Sequence, residues 1–321
     1  LTYSNQTTQA IQKLHNLIEV VDQIVIGKKD ITRLTLIAML SSGHVLFEDI
    51  PGVGKTLLIK TISKCLEADF SRIQFTPDLI PSDIIGFSVP NLHDEQFEFR
   101  EGPIFNQIIL ADEINRTSPR TQAAMLEAMS EKQVTLDGKT HQLPDPFFVL
   151  ATQNPIDYEG TYPLPEAQLD RFLFQLSLGY PSLEQEVRML ESPEQLSAIE
   201  KLKPILSLSD FKALKERVKT IHVHKQLLEY IVSLADATRH HPAIRLGISP
   251  RGVQSCLAAA RTQALLNERE YVIPQDILSI IKPLFRHRLL FENKLDKEDI
   301  DLFIDQLINQ TPIPTKIRSE K

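Results

Sequence analysis

Apolar residues at Ile11, Leu14, Leu17, Ile18 and Val21 recur at the three- and four-residue spacing of one helix face, which predicts a helix over about 7–22. The same spacing through Ile31, Leu34, Ile37, Ala38 and Leu40 predicts a second helix over about 29–41. The texture then changes to short, largely apolar strand candidates: HVLFED (44–49), FSRIQF (70–75), QIILAD (107–112), FFVLATQ (147–153) and RFLFQLSL (171–178). Runs of this kind suit strands buried on both faces of a parallel sheet. Helical spacing returns between them, over 56–67 and from Thr121 to Glu131. Strands alternating with helices predict an α/β core. Two pieces break the rhythm. QFEFREG (96–102) alternates apolar with polar, and QVTLDGKTHQL (133–143) alternates around an Asp137-Gly138 turn, so both read as β-hairpin insertions. After about 180 the strand texture stops, and helical patterns occupy 183–200, 209–219, 224–240, 250–268, 274–290 and 297–309. Ser209 and Ser249 stand where N-caps belong, and Pro250 and Pro274 at first helical positions. The pattern predicts an α/β domain over 1–182 and a helical domain over 183–321.

Composition narrows the class. The 321 residues are 42% hydrophobic and 24% charged, as in an ordinary globular protein, and no apolar run is long enough to span a membrane. With no charged-then-apolar leader at the N-terminus, a soluble cytoplasmic protein is expected. A formal net charge of −7 argues against a generic grip on nucleic acid. Cys65 and Cys256 are far apart and lack metal-ligand spacing, so buried free thiols are expected. His222, His224, His240 and His241 have no metal-like partner set, and packing or surface roles are expected for them.

The chemistry concentrates in EDIPGVGKTLL (48–58). A phosphate-binding loop reads Gly, four residues, Gly-Lys-Ser/Thr, but here Asp49 occupies the first Gly position. Gly52-Val53-Gly54-Lys55-Thr56 alone is weak support. IILADEIN (108–115), some fifty residues on, decides the matter: four apolar residues deliver Asp112-Glu113 to the C-terminal end of a strand, the edge where parallel sheets bind ligands. Together they predict a nucleotide hydrolase using ATP and Mg²⁺. Backbone groups from Pro51 through Gly52, Val53, Gly54, Lys55 and Thr56 to Leu57 cradle phosphate at a helix N-terminus. Lys55 supplies a mobile cation, Thr56 and Asp112 hold the metal, and Glu113 polarises water. For Asp49 two readings stand: a carboxylate capping the loop from the side away from phosphate, or a merely tolerated residue.

With NRTSPRTQAAMLEAMSEKQVT, ATQNP, LPEAQLDRFLF and GISPRG following in that order, the chain resembles the MoxR family of AAA+ ATPases over about 20–290. The resemblance implies a P-loop NTPase core with hairpin insertions and a C-terminal all-α lid. It implies that Asn154 is the sensor 1 residue, against a strand-ending Asn that caps the next turn. Arg171 matches the arginine finger offered to a neighbouring subunit; an Asp170–Arg171 surface pair is the alternative, and Arg116 and Arg120 are rival fingers. Arg251 matches sensor 2, and an Arg beside a helix N-terminus is unfavourable unless an anion faces it. Ile26-Gly27 resembles the segment packed on adenine, or is a simple loop. The insertions, 84–102 and 133–143, would project toward a ring pore. Partners implied are further copies in a hexameric ring, a von Willebrand factor A domain protein and a client protein complex. A nucleic-acid motor or transcription activator on the same engine, and a small-molecule kinase, are the alternatives.

Overall fold

The apolar runs become central strands because alternate side chains feed two separate cores. In the computed structural model, which describes residues 5–91, 96–154, 161–191, 199–293 and 295–314, five parallel strands form one sheet. They are β1 (Val45–Glu48), β2 (Phe70–Gln74), β5 (Ile108–Asp112), β8 (Phe148–Gln153) and β9 (Phe174–Leu176), in the order β2-β5-β8-β1-β9. Val45, Phe47, Ile108, Leu110 and Leu150 point to one side, into the core shared with α1 (Asn5–Ile24), α2 (Lys29–Leu40) and α3 (Lys55–Cys65). Leu46, Ile109, Ala111, Val149 and Ala151 point to the other, against α4 (Pro81–Ile85) and α5 (Pro119–Glu131). Covering both faces explains why β1, β5 and β8 are apolar almost to their ends, whereas the edge strand β2 carries Ser71, Arg72 and Gln74.

Two antiparallel hairpins stand off the core: β3 (Gly86–Asn91) with β4 (Gln96–Glu101), and β6 (Gln133–Leu136) with β7 (Lys139–Gln142). They touch one another, Ser88 Oγ donating to Asp137 Oδ2 at 2.6 Å while Phe99 and His141 rings lie 4.1 Å apart. A short α6 (Glu166–Leu169) precedes β9, and α7 (Leu183–Glu191) follows it. The helices α8 (Leu208–Lys219), α9 (Lys225–Arg239), α10 (Pro250–Leu266), α11 (Pro274–Phe285) and α12 (Lys297–Gln310) complete the chain. Their buried faces join those of α1 and α2 in a single apolar cluster. The proposed domain boundary at 182/183 falls between β9 and α7. Among the described residues no helix is long and apolar enough to cross a membrane.

Several expected boundaries shift. The strand expected over 171–178 spans only Phe174–Leu176, because Ser177 to Gly179 turn their donors onto Asp49 instead. Ser207, rather than Ser209, caps α8, its Oγ accepting from Asp210 N at 3.1 Å. Leu206 and Phe211, fully buried on either side of that cap, act as a hydrophobic staple and set the helix start. The helix expected over 274–290 stops at Phe285, and Leu290–Phe291 pairs antiparallel with Ile244–Leu246, a ribbon in a region expected to be purely helical. Ser249 caps α10 and Pro250 and Pro274 open their helices as expected. Residues 192–198 of the helix expected over 183–200 lie outside the described residues.

Candidate active site

β1 ends at Glu48 and α3 begins at Lys55, so the intervening loop lies at the C-terminal edge of the sheet, where β5 and β8 also end. Gly52 and Gly54 hold φ of +85° and +99°, and an added Cβ would meet nothing closer than 4.0 Å. Glycine is needed there for the left-handed backbone and not for clearance. Gly54 is the N-cap of α3 and contributes no side-chain cap, whereas Ser118, Ser207 and Ser249 each accept a backbone N–H at the start of their helices. The first-turn donors of α3 are therefore left to an external acceptor, as an anion site requires. Lys55 Nζ donates to the carbonyls of Asp49 and Ile50 at 3.1 and 3.0 Å, bonds a phosphate would replace. Burial pulls its ammonium below the ordinary lysine value, while Asp49, Asp112 and Glu113 act the other way.

A cleft of about 1290 Å³ opens beside this loop. Pro51, Gly52, Gly54, Lys55, Thr56 and Leu57 line one wall, and Asp112, Glu113 and Asn154 line the other, joined by Arg72, Gln74 and Thr152. Thr152 bridges the acidic pair: its hydroxyl donates to Asp112 Oδ1 at 2.7 Å and accepts the Glu113 N–H at 2.8 Å. Glu113 adopts a left-handed φ of +57°, a strained conformation for a non-glycine residue of the kind that clusters at functional sites. Its Oε2 accepts from Gln74 Nε2 at 3.0 Å and from Arg116 Nη1 at 2.8 Å. Asp112 Oδ2 accepts from Arg72 Nε at 3.1 Å and Nη2 at 2.6 Å. A cation thus already sits on the carboxylate expected to face a metal, and the hard-oxygen donor set of Thr56 and Asp112 suits Mg²⁺. Among the described residues no group of three or more His, Cys, Asp or Glu is gathered as a metal cage. A divalent cation at this site would depend on the phosphates for its remaining ligands.

Asp49 lies only 5% exposed and points away from the cradle. Its carboxylate accepts from Ser177 Oγ at 2.6 Å, Leu178 N at 2.7 Å and Gly179 N at 3.0 Å. Of its two readings, the structure selects the cap.

Other expected site residues lie apart from the cleft lining. Val53 packs against the apolar core. Ile26 is buried and Gly27, at φ +73°, abuts Gln185 of α7, but the preceding Val25 reaches Gly54, so the segment does border the cradle. Arg171 donates from Nη1 to the Leu126 carbonyl and to Ser130 Oγ, both on its own α5. The alternative Asp170–Arg171 pair is not formed: Asp170 instead accepts from Ser249 Oγ at 2.9 Å and Arg288 Nε at 2.8 Å. Arg251 is exposed on the first turn of α10, and its charge adds slightly to the burial that pulls the Arg288 guanidinium below its ordinary value against the pull of Asp170. Arg116 is committed to Glu113, and Arg120 is exposed. Arg72, Gln74 and Thr152 were not among the expected residues. The alternation in FSRIQF was a signal for the first two, since it places Arg72 and Gln74 on one strand face.

Residues 44–174 match the ATPase family associated with various cellular activities (AAA), and residues 236–307 match the AAA lid domain. The chain is 48% identical over 305 residues to YeaC of Bacillus subtilis (strain 168), an uncharacterized protein, covering 94% of this chain and 95% of that one. It is 40% identical over 319 residues to Chaperone MoxR1 of Mycobacterium tuberculosis (strain ATCC 25618 / H37Rv), covering 95% and 83% of the two chains. A crystal structure of a candidate ATPase from Cytophaga hutchinsonii matches with a TM-score of 0.88 at 36% identity, over 97% of both chains.

Proposed function

Since this chain belongs to the MoxR family of AAA+ ATPases, we propose that it hydrolyses Mg²⁺-ATP as a hexameric ring that remodels or matures a client protein complex. The observation that carries the reading is the convergence on one cleft of the Lys55–Thr56 cradle, the Asp112–Glu113 pair and Asn154. In this reading Lys55 leaves the Asp49 and Ile50 carbonyls for β- and γ-phosphate oxygens. Thr56 and Asp112 would hold Mg²⁺, which when bound neutralises phosphate charge. The Glu113 carboxylate orients a water and takes up its proton, with the Asn154 amide holding that water in line. Ile26 and Gly27 border the base, and Arg251 acts from the helical lid.

A protein client is favoured over nucleic acid by the hairpins. Phe87 and Phe97 are 53% and 72% exposed on β3 and β4, and the net charge of the chain is −7. Exposed aromatics among mixed charges suit transient contact with protein, whereas a phosphate track calls for Lys and Arg. By its family resemblance, the expected recruiting partner carries a von Willebrand factor A domain, and the expected compartment is the cytoplasm.

Arg171 is the proposed finger, supplied across the subunit boundary. Arg171→Ala should still bind ATP but lose about 10³–10⁵ in turnover, and Lys55→Ala should lose nucleotide binding. Mixing the two inactive variants should restore part of the activity, because a Lys55→Ala subunit still offers Arg171 to an intact neighbouring cradle. Mixtures that co-assemble by light scattering yet stay inactive would place Arg171 within its own subunit. Arg116 and Arg120 would then be tested in the same format.

A further inference from the structure

Arg72 and Gln74 stand on the same face of β2, the edge strand of the sheet, with Gln74 in register opposite Asp112. Arg72 reaches along the strand direction to Asp112 Oδ2 with two N–H groups, while Thr152 holds Oδ1. The same Nη2 donates to Gln74 Oε1 at 2.9 Å, which turns the Gln74 amide so that its Nε2 faces Glu113. The carboxylate of Asp112 is thereby occupied at both oxygens, one by a neutral hydroxyl and one by a cation. The two partners differ in their freedom. Thr152 is 1% exposed and fixed in β8, whereas the Arg72 side chain is 48% exposed at a sheet edge and lines the cleft.

We infer that Arg72 is a displaceable counter-ion that competes with the divalent cation for Asp112, and so sets how strongly nucleotide binding depends on the metal. The inference rests on the reading of Asp112 as the metal-side carboxylate. A metal drawn to Oδ2 would meet the guanidinium there, and repulsion between the two cations favours swinging Arg72 into the open cleft. Before the metal arrives, Arg72 keeps Asp112 from standing uncompensated beside an incoming triphosphate, as Arg116 does for Glu113. Arg72 acts through Asp112, as a positioning residue. A long, flexible, singly charged side chain suits this task because its contact with Asp112 is strong in geometry yet reversible at an exposed site.

The test compares affinities for N-methylanthraniloyl-ADP, a fluorescent nucleotide that is not hydrolysed, in Mg²⁺ and in EDTA. The readout is the ratio of the two dissociation constants. Wild type should show tighter binding with Mg²⁺, and Asp112→Asn should abolish most of that difference. Arg72→Gln should raise the ratio at least about fivefold, since it removes both the competitor of the metal and a cation that helps metal-free nucleotide. Arg72→Lys, a point charge without the two-pronged contact, should fall between. A ratio within twofold of wild type in both Arg72 variants, with Asp112→Asn collapsing it, would overturn this inference alone and leave an ordinary surface ion pair. A wild-type ratio that Asp112→Asn leaves intact would instead overturn the metal-side reading of Asp112, and this inference with it. If circular dichroism shows Arg72→Gln unfolded, Arg72→Lys decides: a raised ratio supports the competition and an unchanged one rejects it.

Discussion

His44 stands just before β1 with its ring wholly buried, and both ring nitrogens are used. Nδ1 accepts the Val149 N–H at 3.0 Å, which leaves Nε2 as the donor to the Met129 carbonyl at 3.1 Å. The ring is therefore neutral, and a proton added at Nδ1 would face an N–H. Burial pulls its pKa down to about 4, the Met129 carbonyl opposes this, and Lys132 and Lys215 add to the depression. With an unfolded value near 6.5, the unfolded chain binds more protons at intermediate pH, so the native state gains from pH above 6.5 and loses that gain as pH falls toward 4. Moving from pH 7.5 to 5.0 should cost about 2 kcal/mol of stability through His44. Urea unfolding of wild type and His44→Gln at the two pH values checks this: the variant should lose less on acidification. Equal losses in both would assign the acid sensitivity elsewhere, with His287, buried and similarly depressed by burial and Arg288, the next candidate.

Among elements, the join between the phosphate loop and the segment after β9 is the one whose geometry the site needs. Asp49 receives three donors from residues 177–179, and Lys28 Nζ donates to the Leu178 carbonyl at 2.6 Å, so one short stretch ties the loop entrance to the α1–α2 turn. Asp49→Ala leaves two backbone N–H groups without their acceptor in a buried position. The expected cost is on the order of 3 kcal/mol, together with weaker nucleotide binding as the loop loses its anchor. Asp49→Asn, retaining one acceptor oxygen, should recover part of both. Thermal melts combined with nucleotide titration distinguish this from a passive residue, for which Asp49→Ala would leave the two measurements near wild type.

At the scale of the molecule, Arg288 fastens the helical region to the sheet. Nearly all of its side chain is buried after α11, where it pairs with Asp170 and donates to the carbonyls of Phe172 at 2.6 Å and Leu173 at 3.0 Å. Gly252 of the SPRG string makes room for it: an added Cβ would lie 3.2 Å from Arg288 Cδ and 2.8 Å from Ile248 Cγ2. Asp170 also takes the Ser249 hydroxyl, so the residue next to the proposed finger is held by two helical elements at once. Arg288→Met should destabilise the fold by about 3–5 kcal/mol, because Asp170 loses its cation and the buried Phe172 and Leu173 carbonyls each lose a donor. The Asp170→Ala/Arg288→Met double variant should be more stable than Arg288→Met alone, since the stranded carboxylate is gone. Calorimetry of wild type, the Arg288→Met and Asp170→Ala single variants and the double variant measures this, and a double variant as damaged as the sum of the two singles would show that the pair is not coupled.

The chain's own pattern determined what depends on neighbours in sequence. Apolar runs marked the central strands β1, β5 and β8 because a strand covered on both faces has no solvent side to keep polar, while the edge strand β2 showed as alternation. The left-handed glycines before Lys55-Thr56, and an acidic pair closing an apolar strand, marked the cradle and its partner because those chemistries sit within a few residues. Nucleotide hydrolysis was legible from these strings, and the AAA+ fold from the resemblance that ATQNP, LPEAQLDRFLF and GISPRG add to them. Tertiary structure decided what depends on strand order and distant donors. Placing β2 next to β5 and β5 next to β8 brings Arg72, Gln74 and Thr152 onto Asp112 and Glu113 from roughly forty residues away. Asp49 finds its donors some 130 residues downstream, and Arg171 finds α5 instead of Asp170. The ribbon of Ile244–Leu246 with Leu290–Phe291 is too short for any alternation to announce it. The alternation in FSRIQF could put Arg72 and Gln74 on one strand face but could not name their partners, because hydrogen-bond partners brought together by a parallel sheet are separated by whole crossover connections.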